Sequence, residues 1–302
     1  MALADDIRPD YANNSFDIYD LKDQLLMVAH DRFYYDGQLV FDLIPNKGKA
    51  ITQLSIFWYE LFEGILDSNY ISADIHDLPD DFLVYADELE GRFMLLSKVD
   101  EFPLNVKVHG YLTEGLIDEY LAKGTVGGVD AEPGLTLNNL LDQCIYIPYL
   151  LDGDLGDKIY AIDHNAGSQI DLMKTIELYG NKDAMVLCSN ALELYEIIHG
   201  LAKSRGALFV DISLRFGTSD NQIVITSVPT PDNSLLWEVA ESPDGQEQDT
   251  PNKLFVLQPL LDWMSMNPGV LLSQDRLPDE LPDEISRRYV LLTESVTGED
   301  LV

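Results

Sequence analysis

Basic residues are scarce in this sequence. Its 302 residues contain 19 Lys and Arg against 53 Asp and Glu, which gives a formal net charge of −34 at pH 7. A field of that sign repels phosphates and nucleic acids and attracts cations and basic proteins. No basic stripe is interleaved with aromatic residues, so the sequence predicts no direct binding of nucleic acid.

Cysteines are few and long apolar runs are missing. Cys144 and Cys188 lack the spacing of a metal site or a disulfide framework, which indicates structural thiols in a reducing compartment. No apolar run approaches the ~20 residues that span a bilayer. The N-terminus lacks the basic and apolar regions of a secretory signal. We therefore expect a cytoplasmic protein with no membrane partner.

The chain does have enough apolar material for a core. Hydrophobic residues make up 46% of it, unlike a disordered acidic tail, and its length allows one large domain or two joined lobes. The excess acid has several interpretations: a solvated coat of the kind that salt-adapted proteins carry, an acidic face that docks on a basic partner, or cation binding. The undiminished content of bulky apolar residues favours the docking face.

Apolar periodicity predicts alternating strands and helices. Strands are expected at 24–29, 39–44, 82–85, 92–99, 104–108, 207–216 and 222–228. The Asp36-Gly37 turn is expected between the first two strands. Helices are expected at 49–66, with an apolar stripe facing the core, at 115–123, ended by Gly124, and at 189–205 and 283–297. The acidic stretch 241–252 is expected to be a loop.

Several short strings, in order along the chain, carry a resemblance to a known family. The most specific is the block 44–58, which contains Ile-Pro-Asn-Lys-Gly and Leu-Ser-Ile-Phe-Trp. The other strings are 17–20, 28–32, 108–113, 210–217 and 230–237. In these strings the chain resembles phosphoribosylaminoimidazole-succinocarboxamide synthase, the SAICAR synthase of purine biosynthesis.

The resemblance implies an α+β, two-lobed SAICAR synthase-like fold with antiparallel sheets and flanking helices. We place an N-terminal β-rich lobe at 1–112 and a C-terminal α+β lobe at 113–302, packed tightly together. The activity that it implies is an ATP-dependent ligase joining aspartate to a carboxylate that ATP has first phosphorylated. Such chemistry uses cations around phosphates and acidic ligands for Mg²⁺.

Charged positions of the family's motifs differ in this chain. The Arg of Val-Arg-Gly-Tyr, to which the resemblance assigns the substrate phosphate, is His109 here, and a neutral imidazole has no fork of charged donors. The Lys and Glu of Asp-x-Lys-x-Glu are Ser213 and Arg215. The other changes are Asn-Asn-Ser-Phe at 13–16 for Gly-Lys-x-Arg, Thr-Ser at 226–227 for an acidic pair, and Leu235 for an Arg.

We interpret the matching polar residues as a vestigial ligand cleft, with no catalytic residue and no metal ligand. They are Asp31, Arg32, Lys47, His109, Asp211, Asp232 and Ser234. For Asp31 and Arg32, a buried structural ion pair and a residual ligand contact both stay open. For Lys47 the alternatives are a turn anchor, an exposed lysine and a phosphate contact. Asp163-His164-Asn165 is interpreted as a polar loop, with a remnant of the family's Asp-Glu-Asn as the alternative.

The joint loss of cations and gain of acid leads us to predict a non-catalytic pseudoenzyme without a cofactor. Its acidic surface would bind a basic protein, such as a nucleic-acid-binding enzyme, by imitating nucleic acid. A virus-encoded inhibitor would act in this way. Whether the chain forms a homo-oligomer is left open. The alternative is a divergent ligase of purine or nucleotide metabolism that uses ATP and Mg²⁺. A salt-adapted SAICAR synthase is a third interpretation.

Overall fold

The computed structural model describes residues 7–41, 43–153, 155–241, 247–248, 254–268 and 277–302. In chain order the strands are β1 (Tyr11–Ala12), β2 (Phe16–Asp20), β3 (Gln24–Ala29), β4 (Phe33–Tyr35), β5 (Gln38–Phe41), β6 (Tyr70–Ser72), β7 (Phe93–Ser97), β8 (Asp100–Glu101), β9 (Leu104–Tyr111), β10 (Thr125–Val126), β11 (Val129–Asp130), β12 (Leu140–Leu150), β13 (Ser168–Gln169), β14 (Ala207–Phe209), β15 (Asp211–Ser219), β16 (Gln222–Ser227), β17 (Leu236–Glu238), β18 (Ala240–Glu241) and β19 (Glu247–Gln248). The α-helices are α1 (Lys47–Phe62), α2 (Ala86–Leu89), α3 (Glu114–Lys123), α4 (Leu172–Ser204), α5 (Gln258–Met266) and α6 (Leu281–Thr297), and 3₁₀ turns span Ile75–Asp77, Asp80–Tyr85 and Gly156–Ala161.

Two antiparallel sheets organise the molecule. The first has the strand order β1-β2-β3-β7-β6, and the second has the order β13-β12-β9-β15-β16 with β8 added to β15. The predicted α+β class with antiparallel sheets is therefore confirmed. The division into lobes at residue 112 stays a proposal; β9, on its N-terminal side, pairs with β12 and β15 from the other side.

The main core joins both sheets through α1. The apolar stripe predicted on this helix points inward, with Leu54, Trp58 and Phe62 fully buried. The Trp58 ring meets Phe209 of β14 edge-on, with 6.0 Å between the ring centroids. The same core cluster includes apolar residues of α4 and α6, so the two sheets share one hydrophobic interior.

Two glycines of the matching strings are required by close packing. A Cβ at Gly48, in the first turn of α1, would lie 2.6 Å from the carbonyl oxygen of Ala29. A Cβ at Gly110 on β9 would lie 1.9 Å from the hydroxyl of Tyr195, which donates a hydrogen bond to the carbonyl of Phe209 at 3.0 Å. Both glycines therefore let a neighbouring element approach β3 or β9 directly.

The structure differs from the predicted elements at several places; for example, the expected strand 207–216 is divided into β14 and β15, and β12 was not predicted. Residues 82–85 form part of a 3₁₀ turn rather than a strand; the segment follows Pro79 and buries only Phe82, so it lacks the two-sided burial of a sheet strand. Helix α4 begins at Leu172 rather than near 189, with Gly180 at φ 82° marking a kink inside it. The acidic stretch 241–252, predicted as a loop, lies almost wholly outside the described residues.

Candidate functional site

Three joined cavities form a cleft beside the second sheet. The inner cavity is lined by the turn before β2, by β3 and β7 of the first sheet, by Arg215 in the middle of β15 and by the end of β16. The outer cavity is lined by β9, the start of α3 and α5, and the middle cavity lies against the β4–β5 hairpin. Asp232 lines all three. Their volumes are about 70, 780 and 720 Å³ for the inner, outer and middle cavities.

Asp232 is the centre of a buried polar network. Its carboxylate accepts hydrogen bonds from Ser15 at 2.6 Å and Tyr289 at 2.5 Å, and it forms an ion pair with Lys47 at 2.5 Å. Burial opposes ionisation of Asp232, but the charge of Lys47 and these hydrogen bonds outweigh it and hold the pKa of Asp232 below its usual value. Lys47 is thus neither exposed nor a simple turn anchor: it joins α1 to the turn at 230–234.

Asp31 and Arg32 do not form an ion pair with each other. Asp31 pairs with Arg92 at 3.1 Å and also accepts a hydrogen bond at 2.8 Å from the backbone N–H of Gly48. Arg32 pairs with Asp17 at 2.6 Å. Neither Asp31 nor Arg32 lines any of the three cavities. Both are therefore structural: Asp31 holds the start of α1, and Arg32 is tied to β2.

His109, Asp211 and Ser234 lie together at the outer cavity. His109 on β9 is in register with Asp211 on β15, and its Nδ1 lies 3.7 Å from the Asp211 carboxylate. Burial lowers the pKa of His109 although Asp211 opposes the shift. Asp211 accepts a hydrogen bond from the backbone N–H of Leu235 at 2.9 Å, and Ser234 donates one to Asn233 at 2.9 Å.

Arg215 occupies the inner cavity and closes one side of it. Its guanidinium donates to the side chain of Asn105 at 2.7 Å and to the carbonyls of Ile159, at 2.8 Å, and Ile162. Burial raises the pKa of the neighbouring Glu101 carboxyl although Arg215 opposes the shift. Residue 215 is seen to be an arginine from the sequence alone, but no sequence signal indicates that this arginine binds the turn at 156–162.

The segment Asp163-His164-Asn165 lines the cleft. Asp163 accepts a hydrogen bond from Asn14, His164 Nε2 lies 3.1 Å from the hydroxyl of Ser227, and Asn165 accepts one from Lys107 at 2.8 Å. Burial is the main cause that holds the pKa of His164 well below its usual value. The polar loop predicted here therefore forms one wall of the site.

Two features are absent from the described residues. These residues contain no group of three or more His, Cys, Asp and Glu side chains arranged to hold a metal ion. In the same ranges, none of the helices is long and apolar enough to cross a membrane.

Comparison with solved structures identifies the fold. Over 99% of this chain and 98% of the other, the structure matches SAICAR synthase from Saccharomyces cerevisiae complexed with SAICAR, with a TM-score of 0.83 and 26% identity. A SAICAR synthetase in complex with ADP matches at a TM-score of 0.60 and 19% identity over 96% of this chain and 98% of its own, a likeness of fold.

The sequence comparisons agree with the structural ones. A sequence model described as SAICAR synthetase matches residues 14–267. Phosphoribosylaminoimidazole-succinocarboxamide synthases from Desulfatibacillum aliphaticivorans and Syntrophotalea carbinolica are 31% and 32% identical, over 94% and 93% of this chain and 91% and 92% of theirs. The chain belongs to the SAICAR synthetase family, and the resemblance seen in the short strings is confirmed.

The prediction of a non-catalytic pseudoenzyme that imitates nucleic acid is wrong. Relatives about 30% identical over nearly the whole chain are named as synthases, so the findings support an enzyme. The expectation of no cofactor is wrong for the same reason, because the reaction of such a synthase depends on ATP. That prediction relied on the charged residues that are missing from short motifs, and it gave too little weight to the similarity over the whole chain. The expected basic protein partner stays a prediction.

Proposed function

We propose that this chain is a divergent ATP-dependent ligase of the SAICAR synthase type, working in the cytoplasm. The acceptor's carboxylate takes the γ-phosphoryl group of ATP and ADP leaves. The amine of aspartate then attacks the acyl carbon, losing a proton, and phosphate leaves as the amide bond forms. The single observation that carries this proposal is the likeness over nearly the whole chain to synthases of that name.

The cleft has features that suit the nucleotide. Leu25, Met27, Met94 and Leu96 give the inner cavity an apolar floor for a base. Lys47 faces the middle cavity as a cation for phosphates. Arg215 and its contacts with the turn at 156–162 close one side of the inner cavity, so we expect both to move when ATP binds.

Magnesium also fits the residues that are present. Mg²⁺ in phosphoryl-transfer sites is commonly bound by one or two carboxylates together with the substrate phosphates. Asp163 and Asp232 both line the inner and the middle cavity, so they are the carboxylates that would hold it. The bound ion would neutralise charge on the phosphates, a need that is acute in a chain of net charge −34.

The acceptor belongs in the outer cavity. This cavity shares Asp232 and Asn233 with the inner one, so ligands in the two would meet at this turn, as transfer of a phosphoryl group requires. The outer cavity, at about 780 Å³, has room for a nucleoside-sized molecule.

The test is release of ADP that depends on aspartate. The purified chain would be given Mg-ATP, aspartate and the aminoimidazole carboxylate acceptor, both as ribonucleotide and as ribonucleoside, and ADP and the succinocarboxamide would be measured. We expect Asp232→Asn to reduce the rate by roughly 100-fold, a typical effect of removing a charged active-site contact. Asp220→Asn, in the β15–β16 turn, is the matched control. Absence of aspartate-dependent ADP release with both acceptors would refute the proposed function.

A further inference from the structure

Lys107 is a half-buried cation inside the cleft. It lies on β9, and its side chain lines the outer cavity. The ammonium donates a hydrogen bond to the side-chain oxygen of Asn165 at 2.8 Å and lies 5.9 Å from the centre of the Tyr149 ring. It forms no ion pair with a residue of the described ranges. In this part of the chain, its positive charge therefore has neutral partners.

The ammonium of Lys107 lies where the cavities adjoin. Its partner Asn165 lines both the outer and the middle cavity. Burial is the main cause that lowers the pKa of His109 and of His164, and the charge of Lys107 adds to the shift of both. Lys107 is therefore close to the outer cavity, which His109 lines, and to the inner cavity, which His164 lines.

Lys107 also stands opposite the position at which the family's motif has a lysine. The lysine of Asp-x-Lys-x-Glu corresponds to Ser213 in this chain, and Ser213 is the direct partner of Lys107 in the register of β9 and β15. Directly opposite residues of antiparallel strands share a face of the sheet, with Cβ atoms about 4.5–5.5 Å apart. A lysine side chain is longer than that separation, so an ammonium at 107 can reach the space that one at 213 would occupy.

The same strand pair adjoins the turn at which ligands in the cavities would meet. The backbone N–H of Ser213 donates to the hydroxyl of Ser234 at 3.4 Å, and Asp232 of this turn lines all three cavities. An acceptor in the outer cavity has to present its carboxylate here to the γ-phosphoryl group. Because a carboxylate is a stronger partner for an ammonium than a neutral amide is, it can displace Asn165 from Lys107.

We propose that Lys107 binds the reacting carboxylate of the acceptor. One carboxylate oxygen accepts a hydrogen bond from the ammonium, and the other oxygen stays free to attack the γ-phosphorus of ATP. This inference rests on the proposed function and names the residue that recognises the reacting group. A lysine on β9 supplies the positive charge that the serine on β15 does not.

Binding of two ribonucleotides that differ only in the carboxylate tests this inference. The full-length chain, without ATP, would be titrated calorimetrically with the aminoimidazole carboxylate ribonucleotide and with the aminoimidazole ribonucleotide that lacks the carboxylate. The measured quantity is the ratio of the first affinity to the second. Lys107→Met should lower this ratio roughly 10-fold or more, because a hydrogen bond between charged groups is lost. A purely structural role of Lys107 would weaken binding of both ligands alike.

Three further variants separate charge from packing. Lys107→Arg keeps a cation and should keep most of the ratio. Lys107→Ser combined with Ser213→Lys returns the lysine to the opposite strand and should restore the ratio; if this exchange does not fold, the comparison of Lys107→Met with Lys107→Arg decides. Lys182→Met, at an exposed position on α4, changes the net charge equally and should leave the ratio unchanged.

The outcomes separate this inference from the proposed function. An unchanged ratio in Lys107→Met, the same ratio in Lys107→Met and Lys107→Arg, or a wild-type chain that binds neither ribonucleotide would overturn the inference. Aspartate-dependent ADP release by the wild-type chain, together with an unchanged ratio in Lys107→Met, would uphold the ligase and overturn this inference alone. A ratio that depends on Lys107 in a chain without aspartate-dependent ADP release would uphold the carboxylate site and refute the ligase.

Discussion

The ion pair between Lys47 and Asp232 makes a quantitative prediction about stability. Both side chains are more than nine-tenths buried, at 1% and 8% exposure. Lys47→Met keeps much of the side-chain volume and removes the charge, so Asp232 is left in the interior with hydroxyl donors alone, from Ser15 and Tyr289. We expect the variant to fold and to be markedly less stable than the wild type.

The magnitude follows from the burial of the pair. Removing one partner of a buried ion pair typically costs about 3–5 kcal/mol, because it leaves an uncompensated charge. Since two hydroxyls still bind Asp232, we expect a loss near 3 kcal/mol. With a urea dependence of about 3 kcal/mol per molar, the upper end of the range for small proteins, the unfolding midpoint should fall by about 1 M.

Urea unfolding followed by circular dichroism measures this loss. Lys49→Met, two residues further along α1 at a half-exposed position, is the matched control and should shift the midpoint little. The double variant Lys47→Met/Asp232→Asn should lose less stability than the sum of the losses of the two single variants, because the second change removes the buried charge that the first leaves unpaired. An equal shift for Lys47→Met and Lys49→Met, or additive losses in the double variant, would contradict the reasoning.

Three further perturbations have expected outcomes. Gly110→Ala should destabilise the fold by about 1–3 kcal/mol through overpacking against Tyr195, and Tyr195→Phe should restore part of this in thermal unfolding. Arg215→Met should lower the free energy of unfolding by about 3–5 kcal/mol, because it leaves Glu101 without its cation and the carbonyls of Ile159 and Ile162 without their donor. Arg215→Lys should lower it less, and equal melting temperatures for the two variants would contradict this. Burial, with Lys47 and Arg32 nearby, lowers the pKa of His30 to about 4, so the unfolded chain binds the extra proton and stability should fall as pH drops from about 6.5 toward 4, by up to about 1.4 kcal/mol per pH unit. In denaturation curves measured across this range, His30→Gln should reduce the slope, and the slope that remains is expected from His109 and His164, whose pKa values burial also lowers.

Local rules predicted the parts of the fold that depend on neighbouring residues. The stripe on α1 was correct because helical spacing alone decides which side chains share a face, and Gly124, predicted to end α3, adopts the left-handed conformation at φ 72°. The turn at Asp36-Gly37 forms as expected, but it joins β5 to β4, a strand that was not predicted, rather than to the strand at 24–29. In each case the information lies within a few residues of the feature.

The site could not be predicted in this way because its contacts join distant parts of the chain. Lys47 and Asp232 are 185 residues apart, and Arg215 is 110 residues from Asn105. The sequence shows that an arginine replaces an acid at 215, but not that backbone carbonyls accept hydrogen bonds from it. The prediction of lost catalysis was wrong for a related reason: it treated each motif position independently, whereas partners brought together by the fold determine what a residue does.

The positions of the cations give the acidic composition a structural meaning. Lys47 and Arg215 are almost fully buried, and Arg32 and Arg92 are tied to carboxylates of the framework. In the described part of the cleft, therefore, the basic side chains are already paired or hydrogen-bonded before any ligand arrives. A phosphate could gain a cation only by displacing such a partner or by bringing Mg²⁺ with it. ATP can do the second, because its phosphates bind the metal in solution.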